Sequence, residues 1–215
     1  MKILVIGAHG KIAQRLHPLL IANGHQVTGF VRRAEHVSPL EQIGVQPVVC
    51  DLEKESRLDE AVGAAEVIVF AAGAGPGSGA ARKWTVDRDG AIKAMETAKR
   101  KGIARYIMIS AMNTRTPRGD DVFQAYLQAK AEADDMLMQS GLAYTIVRPG
   151  RLLDDPGTGH VAIGASLPKG EIPRDDVARV IAEVIARPAT AGRAFDLATG
   201  AMPVPHALDQ LTAGK

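Results

Sequence analysis

Apolar strands alternating with helical stretches from end to end predict a doubly wound α/β fold. The expected architecture is a single domain over residues 1–215, with a mostly parallel sheet of about seven strands flanked by helices. Two observations carry this. Val67-Ile-Val-Phe70 and Tyr106-Ile-Met-Ile109 are apolar at successive positions, as strands covered on both faces of a parallel sheet require. The first strand, Lys2–Ile6, also runs directly into Gly7-Ala-His-Gly10-Lys-Ile-Ala13, a glycine-rich turn that opens a helix.

The strands are expected at Lys2–Ile6, Gln26–Val31, Gln46–Cys50, Glu66–Ala71, Arg105–Ser110, Ala143–Val147 and Arg193–Leu197. Helices are expected near Lys11–Asn23, Arg57–Val62, Val86–Lys101, Val122–Ser140 and Arg174–Ala186. A strand, a glycine turn and a helix in that order suit a dinucleotide. Gly7 lets the chain turn off the strand, Gly10 lets backbone approach a pyrophosphate, and Ala13 keeps the helix close to the sheet. The pyrophosphate would sit at the helix N-terminus, where unpaired N–H groups and the dipole favour negative charge. Gly7, His9, Gly10, Lys11 and Ile12 are therefore candidate cofactor-binding residues, His9 through its backbone.

At the end of the second strand the chain reads Val31-Arg32-Arg33, with no acid to accept from ribose hydroxyls. Two arginines suit a 2′-phosphate, so NADP(H) is expected in preference to NAD(H). Asp51 and Leu52 follow the third strand, where they can hold the adenine. Ala71, Ala72 and Gly73 follow the fourth, their small side chains letting a cofactor pass close over the sheet. The glycine-rich segment Gly73–Gly79 lies beyond a strand end, where such folds bind ligands.

Tyr126 and Lys130 are spaced i, i+4 on one face of a predicted helix. An ammonium beside a phenol favours the phenolate, which is expected to lower the tyrosine pKa towards acid–base chemistry. The same lysine can hydrogen-bond the nicotinamide ribose.

Composition narrows the function classes. The 215 residues are 46% hydrophobic and 23% charged, with net charge +2, enough for one large core. Near-neutral charge suggests no nucleic-acid partner and no anionic membrane surface, and no apolar run approaches the ~20 residues of a membrane span. The opening apolar run stops at Gly7, too soon for a signal peptide, so a cytoplasmic location is the default expectation. The single cysteine, Cys50, reads as a small buried hydrophobe. The six histidines show no metal-ligand spacing, and no metal is expected.

Together these residues resemble the short-chain dehydrogenase/reductase (SDR) superfamily, and most nearly its atypical, extended-like NAD(P)-binding members of the NAD-dependent epimerase/dehydratase family. The resemblance spans nearly the whole chain. It rests on Gly7-x-x-Gly10-x-x-Ala13, Val31-Arg32-Arg33, Asp51-Leu52, Asp87-Arg-Asp-Gly-Ala-Ile-Lys93, Tyr126-x-x-x-Lys130 and Tyr144-Thr-Ile-Val-Arg-Pro-Gly150. It implies a Rossmann fold, Pro149 and Gly150 turning the chain beside the nicotinamide, and Asp87 standing where conventional members carry an active-site asparagine. Relatives often have Ser-Ser after the fifth strand. This chain has Ser110-Ala111, so the substrate-orienting hydroxyl falls to Ser110, Asn113 or Thr114.

Catalytic candidates are thus Tyr126, Lys130, Ser110 and Asp87. The expected partner is a modest, partly hydrophobic small-molecule substrate, held by the Gly73–Gly79 loop, the Asn113–Asp121 loop and a substrate-side region near 151–173 with the C-terminal end. Three functions stay open: an oxidoreductase acting on a small carbonyl or alcohol, an epimerase or dehydratase, and a non-catalytic NADP(H) sensor. The two long helices either pair in a homodimer or simply cover the sheet.

Overall fold

The computed structural model describes residues 1–213; the last two residues of the expected unit lie outside the described part. The strands are β1 (Lys2–Ile6), β2 (Gln26–Val31), β3 (Gln46–Val49), β4 (Val67–Phe70), β5 (Arg105–Ile109), β6 (Ala143–Pro149) and β7 (Arg151–Leu153), then β8 (His160–Gly164), β9 (Glu171–Pro173), β10 (Arg193–Thr199) and β11 (Met202–Pro203). Nine of them form one sheet in the order β11-β8-β10-β6-β5-β4-β1-β2-β3. From β10 to β3 neighbouring strands are parallel, while β8 pairs antiparallel with β10 and with β11. The chain starts at β1, builds outward to β3, then returns to lay β4 against the other side of β1. That reversal is the switch point where such sheets open a ligand crevice at their strand ends.

The helices are α1 (Lys11–Ala22), α2 (Val37–Glu41), α3 (Ala80–Arg82), α4 (Ala91–Arg100), α5 (Asp121–Met138), α6 (Arg174–Ala186) and α7 (Val204–Ala213). Side-chain alternation along the strands divides the core in two. Ile3, Val5, Val67, Val69, Ile107 and Val147 face a layer containing α1, α6 and α7. Leu4, Ile6, Ile68, Phe70, Tyr106 and Met108 face α4 and α5. This two-sided burial is why the central strands read as unbroken apolar runs. Among the described residues no helix is long and apolar enough to cross a membrane.

Three expectations need correction. The sheet has nine strands rather than about seven, because β8 and β11 extend it at one edge, and β7 with β9 forms a separate parallel pair. The stretch Arg57–Val62 is a single turn, with Val62 N–H donating to the Leu58 carbonyl at 3.0 Å. Its buried side chains Leu58 and Val62 pin that turn, but a nucleus this short does not propagate, and Gly63 at φ +59° ends it. The helix expected at Val86 begins at Ala80 and passes through a π-helical stretch, Lys83–Gly90, before α4. Wide turns of this kind are common at functional sites, and this one carries Lys83 and Asp87 into the wall of the crevice.

Gly7 is fixed by two constraints at once. Its φ is +86°, and a β-carbon there would stand 2.7 Å from Ala72 Cα. Gly7→Ala is therefore expected to lose about 1–3 kcal/mol from the dihedral alone. Urea unfolding checks this, and an unchanged midpoint would mean that the turn relaxes freely.

Candidate functional site

The Gly7–Gly10 turn is held from beneath by a residue that sequence reading passed over. His17, fully buried on α1, places Nε2 2.8 Å from the Ala8 carbonyl oxygen. Burial lowers its pKa against the opposing effect of that hydrogen bond, so the ring is neutral and Nε2 carries the donated proton. Gly10 starts α1 with no side-chain cap, and no acidic side chain occupies the first turn. Among the described residues no side chain accepts from the first N–H groups of α1. Ile12 lines the crevice nearby, whereas Lys11 sits on its rim with Nζ 2.6 Å from Asp154.

A smaller cavity of about 270 Å³ opens beyond this turn, lined by His9, Arg32, His36, Asp51, Leu52, Glu53 and Arg82 among others. The rings of His9 and His36 are stacked, with centroids 3.6 Å apart and planes within 4°. Burial lowers the His36 pKa, and the charges of His9, Arg33 and Arg32 lower it further against Glu35. Arg33 points elsewhere and pairs with Glu35 at 2.8 Å, so only Arg32 of the two arginines lines this cavity. Glu53 is an acid that the sequence reading did not count here. It accepts hydrogen bonds from Arg82 Nε at 3.1 Å and from Thr85 Oγ1 at 2.7 Å, and these hold its pKa down. Asp51 caps its own turn, its Oδ1 accepting from Glu53 N–H at 3.1 Å, while the Leu52 carbonyl accepts from Lys93. Cys50 is buried beside them, with its thiol pushed up to about 11 by that burial.

Past the end of β4, Ala71, Ala72 and Gly73 form the floor joining this cavity to a cleft of about 1340 Å³. Asp87 clamps that floor. Its Oδ2 accepts from Ala74 N–H at 3.0 Å, and a β-carbon on Gly73 would press on Oδ1 at 3.0 Å. The same carboxylate lies 3.2 Å from Lys130 Nζ, which also donates to the Ile109 carbonyl at 3.2 Å. Both side chains are almost fully buried. Asp87 is thus the countercharge of Lys130.

Tyr126 stands one turn before Lys130 on α5 and lines the cleft. The expectation of a lowered tyrosine pKa is overturned. Burial raises it, and although Lys130 and Arg118 pull it down, Asp87 and Asp134 push it back up. An ammonium already matched to a carboxylate has little net field left for the phenol. For Lys130 burial works against the charge, yet Asp87, Tyr126 and Asp134 together keep its pKa raised.

Ser110 reaches the cleft wall, but its hydroxyl is turned inward and buried against Asp134, without a well-formed hydrogen bond. Asp134 is itself buried and accepts from Arg148 Nε at 2.7 Å. Ala111 and Asn113 are exposed to the cleft instead, and Asn113 takes the left-handed conformation at φ +54°. Arg118 holds that strained loop, donating to the carbonyls of Asn113 at 2.6 Å and Met112 at 3.0 Å. Pro149 and Gly150 complete the wall where β6 ends. Gly150 admits no side chain, since a β-carbon would lie 2.2 Å from the Gly170 carbonyl oxygen. Lys83 and His17 went unnoticed in the sequence, because their partners are the backbone carbonyls of Gly75 and Ala8, which no side-chain spacing marks.

The model of the family described as NAD(P)H-binding matches residues 7–188. The chain belongs to this NAD(P)H-binding family. A Bacillus subtilis protein named an uncharacterized sugar epimerase is 40% identical over 214 residues, covering 98% of this chain and 100% of that one. A Bacillus halodurans structure whose name proposes an NAD-dependent epimerase/dehydratase superposes with TM-score 0.92 at 38% identity, covering 98% of this chain and 99% of the other. The anaerobillin reductase ChuY of Escherichia coli O157:H7 superposes with TM-score 0.78 at 27% identity, covering 94% and 98%. The family is thus one of Rossmann-fold NAD(P)-dependent oxidoreductases and epimerases, as the SDR resemblance implies.

Proposed function

We propose that this protein is an NADP(H)-dependent oxidoreductase that interconverts a small carbonyl and its alcohol, with Tyr126 as the proton donor. The observation that carries this reading is a neutral phenol on the cleft wall one helical turn from Lys130, whose ammonium is fixed by Asp87 and the Ile109 carbonyl. The residues fit a dinucleotide, because β-carbons at Gly7 and Gly10 would crowd the backbone of the turn and α1 leaves its first N–H groups free of side-chain acids. Gly7, Gly10 and Ile12 would hold the pyrophosphate, Lys130 the nicotinamide ribose, and Ala71–Gly73 the path between them. When bound, the nicotinamide supplies or accepts a hydride at the substrate carbon.

The chain's own residues supply the proton. With its pKa raised, Tyr126 stays protonated at neutral pH and is poised to donate to a substrate oxygen as negative charge develops there. Lys130 and Asp87 act through position, fixing the floor of the cleft and the face of α5 that presents the phenol. Ser110 has its hydroxyl buried, so substrate orientation falls to groups exposed in the cleft.

Preference for NADP(H) rests on Arg32, the one arginine of the pair that lines the smaller cavity, and on Glu53 being engaged by Arg82 and Thr85. Arg32→Ala is expected to weaken NADPH binding by about tenfold or more and NADH binding by less than about twofold, as loss of a charge-assisted phosphate contact requires. Fluorescence titration checks this, and an equal loss for both nucleotides would remove the preference.

Epimerization or dehydration is the second reading, favoured by the name of the Bacillus subtilis relative and by the length of the cleft towards Lys169–Glu171. The deciding experiment incubates the protein with NADPH and a panel of aldehydes, ketones and quinones. Stoichiometric NADPH oxidation with alcohol formation supports the oxidoreductase; product formed without net oxidation supports the epimerase or dehydratase.

A further inference from the structure

Two ammonium groups are buried in the cleft wall, and only one of them has a countercharge. Lys130 is 4% exposed and Lys83 8% exposed. Lys130 has Asp87, whereas Lys83 Nζ donates to the Gly75 carbonyl at 2.8 Å. Of the other cations of the cleft, Lys11 and Arg174 pair with Asp154 and Arg151 with Glu171, whereas Arg118 and the exposed Lys169 have no ion pair among the described residues. Lys83 takes part in none of these ion pairs among the described residues. A carbonyl satisfies one of three N–H groups and brings no negative charge, and a buried charge left so is costly. The remaining donors have the cleft to face, since Lys83 lines it.

What adjoins Lys83 narrows the ligand. Its Nζ stands 5.7 Å from the centroid of the Tyr126 ring, and the Phe123 ring lies 5.7 Å beyond, tilted by 32°. Arg118 closes the far end of this shelf, its guanidinium carbon 5.5 Å from the Phe123 centroid. Arg118 donates to two backbone carbonyls and, like Lys83, has no carboxylate partner among the described residues. The nearby acid Asp120 is engaged as the cap of α5, accepting from Phe123 N–H at 2.8 Å. Met112, Val122, Leu127 and Leu152 supply the apolar lining. An aromatic shelf with an unmatched cation at each end suits a flat or apolar body bearing an anionic group.

We infer that the substrate is an organic carboxylate, its carboxylate bound by Lys83 and its body resting on the Tyr126–Phe123 shelf. This rests on the oxidoreductase reading only in calling the molecule a substrate. Lys83 acts as a binding residue, fixing the carboxylate so that a carbonyl further along the body meets the Tyr126 hydroxyl.

Isothermal titration with phenylglyoxylate and with its uncharged methyl ester tests the assignment, each with and without saturating NADP⁺. Wild type, Lys83→Met and Lys83→Arg are compared, and NADPH is titrated separately. The acid is expected to bind wild type about tenfold or more tighter than the ester. Lys83→Arg is expected to keep that preference and Lys83→Met to lose it, with NADPH affinity unchanged within about threefold across all three. Equal affinities for acid and ester on wild type would overturn the proposal without recourse to any variant. So would absence of acid binding up to about 10 mM, or a preference that survives in Lys83→Met or disappears in Lys83→Arg. NADPH affinity falling in Lys83→Met while acid binding persists would make Lys83 a cofactor ligand and overturn it too. If wild type discriminates acid from ester but fails to bind NADPH, the cofactor reading falls and the carboxylate site stands.

Discussion

Tyr126→Phe is expected to lower NADPH-dependent carbonyl reduction by ~10²–10⁴-fold, while NADPH affinity stays within about threefold of wild type. The ring remains to pack against Phe123, and only the transferable proton is lost. The pH dependence follows from the direction of the tyrosine shift. Burial holds the phenol above its ordinary value, so it remains an acid through neutral pH, and reduction should show no loss from its ionization there. Oxidation of the alcohol needs the phenolate as base and should rise with pH into the alkaline range. Initial rates in both directions between pH 6 and pH 10 check the assignment. A Tyr126→Phe variant as active as wild type would transfer the proton to another group and leave the tyrosine as packing.

The second large effect concerns stability. Arg148→Met is expected to destabilize the protein by about 3–5 kcal/mol at pH 7, because it strands the Asp134 carboxylate in the core. Asp134 is 1% exposed, and Arg148 is the foremost influence drawing its pKa down against burial. Without the guanidinium the folded-state pKa moves further above the unfolded value of about 3.9. The variant then folds best with Asp134 protonated: its deficit is smallest near pH 4 and grows as pH rises towards 7. Thermal melts across that range measure it, and Asp134→Asn added to Arg148→Met should restore most of the loss. A deficit independent of pH would mean that Arg148 matters for its packing and not for its charge.

The central fold was legible because one-dimensional patterns carried it. β1, β4 and β5 are buried on both faces and show it as unbroken apolar runs, and Gly7 announces a turn that no other residue can make. Tyr126 and Lys130 were legible as a spacing on one helix face. The field around them was not, because Asp87 lies far along the chain from Lys130 and its effect on the phenol depends on distances in space. Strands β7, β8, β9 and β11 were missed because they lie among Pro156-Gly157, Pro168 and Gly170, residues that read as loop, and all but β8 are three residues or fewer. Asp176 organizes part of that region, its carboxylate accepting from the N–H groups of Thr158 and Gly159, each at 2.8 Å. Of the two adjacent arginines at the end of β2, the structure brings only Arg32 to the cavity, a choice made by the Arg33–Glu35 pair.

Asp87 joins two elements of the cleft: with one oxygen it holds the backbone after β4, with the other the lysine of α5. Two events that look separate, displacement of the Gly73–Ala74 backbone and a change in the charge felt at Tyr126, therefore share one carboxylate. Thermodynamic reciprocity makes any coupling through it symmetric: by whatever factor a ligand that draws that backbone from Asp87 changes the proton affinity of the α5 pair, protonation of that pair changes the affinity for the ligand by the same factor. Occupancy at the β4 end of the crevice and readiness to donate at the α5 end are in this sense two readings of one equilibrium.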